Sequence, residues 1–222
     1  MPQLSGLIFD LDGTLIDSAP DLRQALNAML AEYGRRALSL GEVKQFVGDG
    51  MMPLIQRAFD TTGAVPENFN SYASFQIFIG HYRGLKPDPS QIYPGTRETL
   101  ESYFKKGVKL GICTNKQGAA TVHLLEQLDL AKYFSFIAGG DTFPEHKPHP
   151  GHVKGVLRQL DIAAAECAMI GDSMNDVSAA RGAGVKSIVV THGYGGDFQS
   201  LSADKLINGF NELPKALKEL GF

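Results

Sequence analysis

From residue 96 onward the chain repeats one theme: an apolar run of five or six residues, a polar or glycine-rich break, then a segment whose apolar positions recur at helical spacing. That is the rhythm of β-α units. The runs are Val108 to Cys113, Phe134 to Ala138, Ala168 to Ile170 and Ser187 to Val190; with Leu7 to Phe9 they make five candidate strands. The intervening periodicity predicts helices at Gln117 to Leu128, His152 to Leu160 and Asn175 to Ala183, the last stopped by Gly184. Strands apolar on both faces and joined by helices imply an α/β fold with a doubly wound parallel sheet, Rossmann-like in outline.

Residues 18 to 85 break the rhythm. Leu22, Ala25, Leu26, Met29 and Leu30, and again Leu54, Ile55, Ala58 and Phe59, recur at helical spacing, and no strand-like run intervenes. The pattern predicts a helical insert between the first strand and the second. Its borders are Asp17-Ser18-Ala19-Pro20, a helix start with a capping residue and an early proline, and the proline-rich stretch from Lys86 to Gly95. The expected division is an α/β domain at 1–17 and 90–222, with an α-helical cap domain at 18–89.

Composition narrows the function. A chain of 222 residues with 43% apolar content can bury a sizeable core. A net charge of -3, with 21 scattered Lys and Arg, leaves no basic footprint for nucleic acid. No apolar segment approaches the roughly 18 residues of a membrane span, and no charged leader precedes an apolar stretch, so the reading is a soluble cytoplasmic protein, monomer or homodimer. Cys113 and Cys167 sit in separate apolar runs without CxxC spacing and read as small core residues.

The chemistry gathers at strand ends, where open parallel sheets bind ligands. In order they carry Asp10 and Asp12, then Thr114 and Asn115, and later Asp172 and Asp176 in GDSMND; Lys147 in HKPHP follows the third strand. Converging carboxylates without Cys or His suit a hard cation that keeps its waters, which points to Mg2+. Lysine and threonine beside them make sense if a phosphoryl group sits next to the metal, because a carboxylate and a phosphate repel until cations intervene. Aspartate is a known nucleophile for forming an aspartyl-phosphate.

DLDGT after a strand, Thr-Asn at the next strand end, a lysine ahead of Pro-x-Pro and GDxxxD together resemble the four motifs of the haloacid dehalogenase superfamily, in order. DLDGTLIDSAPDL and FVGDGMMPLIQRAF resemble its phosphoglycolate phosphatase group with a helical cap. The resemblance implies a small phosphorylated metabolite as substrate, 2-phosphoglycolate first. It implies Asp10 as the phosphorylated nucleophile, Asp12 as the acid and base, and Thr114 and Asn115 as holders of phosphoryl oxygens. Lys147 would bridge phosphate and nucleophile. Asp10, Asp172 and the main-chain carbonyl of Asp12 would hold Mg2+, while Asp176 would act through water or by orienting Lys147. Gly13 would let the backbone turn beside the phosphate. The same resemblance puts the first strand between those of the two cysteines, so no disulfide is expected.

Other features have plainer readings. His146, His149 and His152 look like metal ligands, but Pro148 and Pro150 spoil the helical geometry a zinc site would need. Tyr194 in HGYGG reads as part of a surface loop. Gly48 and Gly50 precede a helix from Met51 to Phe59 whose free amides could take a substrate carboxylate, or they only form a tight loop; Arg57 is the next candidate. The insert is expected to move as a lid hinged near 15–18 and 89–95. A hexose phosphomutase shares the core residues, as do phosphatases for sugar phosphates, nucleoside monophosphates or pyrophosphate. A dehalogenase has no use for Asp12, and a signalling receiver module would lack the insert.

Overall fold

The computed structural model describes residues 3–63 and 70–222. Residues 1–2 and 64–69, which the sequence reading assigns to the α/β part and to the insert, lie outside the described residues.

Six parallel strands form one sheet: β1 (Gly6–Phe9), β2 (Lys109–Cys113), β3 (Phe136–Ala138), β4 (Cys167–Gly171), β5 (Lys186–Val190) and β6 (Lys205–Ile207). Their order is β3-β2-β1-β4-β5-β6, each neighbouring pair parallel. All five predicted strands are present, and β6 is an addition. It is three residues long and half-buried at the edge, too short to leave a periodic signature.

Alternation along the strands decides which helix packs where. Leu7 and Phe9 of β1 face the cluster completed by Leu110, Ile112, Ile170 and Val190, covered by α5 (Thr96–Lys105), α6 (Gly118–Gln127) and α9 (Leu213–Glu219). Ile8 faces the other way, with Cys113 and Met169, against α7 (Pro150–Leu160) and α8 (Met174–Ala183). The sheet is therefore doubly wound, as expected. Cys113 and Cys167 are buried and free, with β1 between their strands.

Between β1 and β2 run α1 (Ala19–Glu32), α2 (Leu40–Phe46), α3 (Met51–Thr62) and α4 (Ser71–Arg83). Their apolar faces close on one another in a separate cluster around Leu26, Met29, Phe59 and Phe78. Ser39 and Glu42 cap α2 reciprocally, and Asn70 caps α4. The expected cap at Ser18 is not made: its side chain bonds no amide of α1. Instead the phenol of Tyr194 takes the Ala19 N–H at 3.1 Å. The chain enters and leaves the insert side by side, Asp17 N donating to Gln91 O (2.8 Å) and Tyr93 N to Leu15 O (3.1 Å). No helix among the described residues is long and apolar enough to cross a membrane.

Candidate active site

The ladder carries the first acidic residue straight off β1, with Asp10 N donating to Ile170 O at 2.9 Å. β1 lies between β2 and β4, so the ends of all three strands meet, and Asp10, Thr114 and Asp172 are all buried there. Asp10, Asp172 and Asp176 each bring a carboxylate oxygen within 4.8 Å of the others. Lys147 reaches in from the loop before α7, its ammonium 2.9 Å from Asp10 Oδ1 and 2.5 Å from Asp176 Oδ1.

Electrostatics explain what this cluster can hold. Three carboxylates share one ammonium out of reach of bulk water, so full ionisation is costly. Burial pushes Asp10 up to about 6, against the pull of Lys147 and with help from Asp176. Burial also raises Asp172 well above the usual range, reinforced by Asp176 and Asp10. Burial works against the Lys147 charge, but Asp10 and Asp176 outweigh it and hold the ammonium above its ordinary value. Asp10 Oδ1 is buried without an aligned hydrogen bond, its contact with Lys147 being an ion pair only. A buried all-oxygen donor set with surplus negative charge fits a hard divalent cation.

Asp176 has little left to offer a metal. Its Oδ2 accepts from Asp172 N (3.1 Å), Ser173 N (3.0 Å) and Ser173 Oγ (2.7 Å), while Oδ1 holds Lys147. It caps α8 and orients the lysine at once. Asp172 accepts from Tyr194 N at 2.6 Å and more weakly from Thr14 Oγ1 at 3.3 Å. Gly13 has φ 84°, and a Cβ there would lie 2.4 Å from Asp172 Oδ2, so the backbone after Asp12 passes where a side chain has no room.

The HGYGG stretch is half-buried and does more than close the surface. Besides holding Asp172, Tyr194 donates its phenol to Asp17 Oδ1 at 2.6 Å, and a Cβ on Gly195 would fall 1.9 Å from Asp172 O. Its glycines let the loop wrap the carboxylate at the end of β4. The three histidines do not converge: His149 caps α7 through Gly151 N, and His152 is fully buried, its pKa lowered to about 4 by burial and Lys147.

The insert meets the site through the loop at 47–50 and through residues of α1, α3 and α4. Asn115 Nδ2 donates to Gly48 O and to Lys147 O, both at 2.8 Å, and Asn175 Nδ2 reaches Gly48 O (3.2 Å) and Asp49 Oδ1 (2.7 Å). Arg57 is committed to Asp49 and to Phe46 O (2.8 Å). A cavity of about 30 Å3 remains, walled by Asp10, Asp12, Thr114, Asn115 and Lys116 from the strand ends and by Leu22, Val47, Gly48, Gly50, Met51 and Leu54 from the insert. Lys116 and Asn175 were not singled out in the sequence. Lys116 directly follows Thr114-Asn115 at a strand end, which is a usable signal; Asn175, inside GDSMND, matters only because the insert lies against it.

Known proteins resemble the chain along its length. The sequence profile of haloacid dehalogenase-like hydrolases matches residues 7–190. The phosphoglycolate phosphatase of Agrobacterium fabrum (strain C58) is 39% identical over 213 residues, covering 96% of this chain and 91% of that one. The phosphoglycolate phosphatase of Chromobacterium violaceum is 39% identical over 219 residues, 98% of each chain. The crystal structure of a predicted phosphoglycolate phosphatase from Haemophilus somnus 129pt superposes with a TM-score of 0.91 at 29% identity, covering 98% of this chain and 99% of that one.

Proposed function

The chain belongs to the haloacid dehalogenase-like hydrolase family, and on that premise we propose that it is a Mg2+-dependent phosphoric monoester hydrolase that converts 2-phosphoglycolate to glycolate and inorganic phosphate. The observation that carries the reading is Asp10, buried at a strand end, ion-paired with Lys147 and with Asp172 and Asp176 within 4.8 Å. Two relatives bearing the phosphoglycolate phosphatase name over nearly all of both chains support the substrate.

The side chains of Asp10 and Asp172 and the main-chain carbonyl of Asp12 would hold the metal. When bound, Mg2+ supplies positive charge that offsets the repulsion between Asp10 and the phosphoryl group. Asp10 attacks phosphorus through a carboxylate oxygen, the bond from phosphorus to the glycolate oxygen breaks, and Asp12 gives that oxygen its proton. Asp12 then takes a proton from water, whose oxygen attacks the aspartyl-phosphate; the bond to Asp10 breaks and phosphate leaves. Thr114 and Asn115 position the phosphoryl group. Lys147, held by Asp176, steadies Asp10 as its charge is spent.

A cavity of about 30 Å3 holds roughly two waters, not a phosphoglycolate. The insert, residues 18–89, therefore acts as a cap that swings clear to admit substrate and closes to exclude bulk water. The paired segments at Leu15–Asp17 and Gln91–Tyr93 are its hinge.

The test is a hydrolysis screen with Mg2+ over 2-phosphoglycolate, sugar phosphates, nucleoside monophosphates and pyrophosphate. The expected result is a kcat/KM for 2-phosphoglycolate roughly tenfold or more above the rest, abolished by chelation. A higher value for another ester, or a phosphorylated sugar as product, overturns the substrate.

A further inference from the structure

One cation at the site has no part in the chemistry above. Lys116 has a side chain only 3% exposed, its ammonium 3.3 Å from both carboxylate oxygens of Asp12. On its other side lies the ring of Tyr82 in α4, with the centroid 4.9 Å away. Burial works against its charge, but Asp12 and Tyr82 outweigh the penalty and hold the ammonium above its ordinary pKa. Charge-assisted hydrogen bonds run to about 2.7–2.9 Å, so the two contacts with Asp12 at 3.3 Å are long, and an anion that approaches more closely can draw an N–H from Asp12 while Tyr82 keeps its own contact.

Its position is as informative as its charge. Among the described residues lining the cavity between strand ends and insert, Lys116 is the only cation. Lys147 is already divided between Asp10 and Asp176. Arg57, the candidate from sequence, is tied to Asp49 and Phe46 O. In 2-phosphoglycolate a single CH2 separates the carboxylate from the ester oxygen that Asp12 must protonate. A cation beside Asp12 is therefore beside the carboxylate as well.

Building on the phosphoglycolate reading, we propose that Lys116 is the specificity-determining residue that receives the substrate carboxylate, with Tyr82 backing its ammonium from the insert. The residue links two events: the cap closes, and an anionic leaving group is recognised next to the acid that releases it. An alcohol without the anion leaves the ammonium with Asp12 alone and draws no benefit from closure. If Lys116 served only to position Asp12, its loss would slow alkyl esters with similar leaving groups equally, whether or not they carry a carboxylate.

The experiment compares 2-phosphoglycolate with 2-hydroxyethyl phosphate, which has the same length and no carboxylate, on the wild type, Lys116→Met, Lys116→Gln and Lys116→Arg. Both rates fall in the neutral variants to the extent that Asp12 loses its partner; the ratio of the two kcat/KM values, taken on one preparation, reports the carboxylate alone. The wild type should prefer 2-phosphoglycolate. That preference should drop roughly 10- to 100-fold in Lys116→Met, the range expected for losing a hydrogen bond to a charged group, with the change mostly in KM. Lys116→Gln, which keeps a donor for Asp12, gives the same reading where Lys116→Met does not fold. Lys116→Arg should retain most of the preference. A preference that survives in Met and Gln, or one lost equally in Arg, overturns the assignment while leaving the substrate intact. A wild type without any preference overturns the substrate and this role together.

Discussion

The two halves of the molecule treat charge in opposite ways. At the strand ends of the α/β half, Asp10, Asp172, Asp176, Lys116 and Lys147 are all buried. The helical insert buries no charged residue among those described; its interior is Leu26, Met29, Phe59 and Phe78, and its ion pairs, Arg36 with Glu42 and His81 with Glu32, stay partly exposed. Buried charge of one dominant sign costs stability, and exposed pairs cost or contribute little. The α/β half thus gives up stability at the place where the proposed chemistry sits, whereas the insert is built to hold together and faces the site with the loop at 47–50, apolar side chains of α1 and α3, and Tyr82.

The largest effect that could break this contrast is Asp10→Asn. Turnover should fall by on the order of 10⁴-fold or more, since an amide is a poor nucleophile. The same variant should melt higher, not lower, than the wild type in chelator near neutral pH, because it removes a charge that burial disfavours. A lower melting temperature would show that the strand-end carboxylate contributes stability after all.

Asp12→Asn should cost roughly 10²- to 10³-fold on 2-phosphoglycolate and clearly less on an aryl phosphate, whose leaving group needs no proton. Equal losses on alkyl and aryl esters would remove Asp12 from the acid role. On the insert side, Gly50 has φ 91° and ψ 178°, a region all but reserved for glycine that strains a β-branched residue by about 1–3 kcal/mol. Gly50→Val should raise KM by roughly tenfold for 2-phosphoglycolate and for the aryl phosphate alike, through displacement of the loop over the cavity. A loss confined to 2-phosphoglycolate would show that the loop itself takes the carboxylate.

The smallest effect is a difference in sign with pH. Asp10 is raised by burial from 3.8 to about 6. The folded metal-free protein therefore binds more protons than the unfolded chain in that interval. Its contribution to stability is present below about pH 4 and lost as pH rises through about 6. Glu42 in the insert is lowered to about 2 by hydrogen bonds from Arg36 and Ser39. Its contribution is present above about 4.5 and lost as pH falls through about 2. Thermal melts of metal-free wild type from pH 4 to 6.5 should decline by a few degrees, and the decline should shrink in Asp10→Asn. Added Mg2+ should raise the melting temperature more at pH 7.5 than at pH 5, because protons and metal compete for the same oxygens. Equal metal stabilisation at both values would separate the acidic cluster from the metal site.

Much of this arrangement was legible in the sequence. The alternation of short apolar runs with helical periodicity is a local signal, and a parallel sheet obliges its strand ends to lie together, so Asp10, Thr114 and Asp172 could be placed in one site from their positions alone. The helical spacing of Leu22 to Leu30 and of Leu54 to Phe59 likewise marked the buried faces of α1 and α3. β6 escaped because three edge residues carry no period, and the cap of α1 was misassigned because its partner, Tyr194, lies 175 residues away in sequence.

Which segments become strand or helix follows a local apolar period, and a parallel sheet then lays its strand ends side by side; that is why the strand ends and their acidic residues were determined by sequence. The grip of Asn115 and Asn175 on Gly48, the wrap of the glycine loop around Asp172 and the seat of Lys116 between Asp12 and Tyr82 are different in kind. Each joins side chains on elements far apart in the chain, and a hydrogen bond or ion pair of about 3 Å forms only when both elements are held to within a fraction of an ångström. No local propensity encodes that distance; the packing of the insert against the ends of the sheet does.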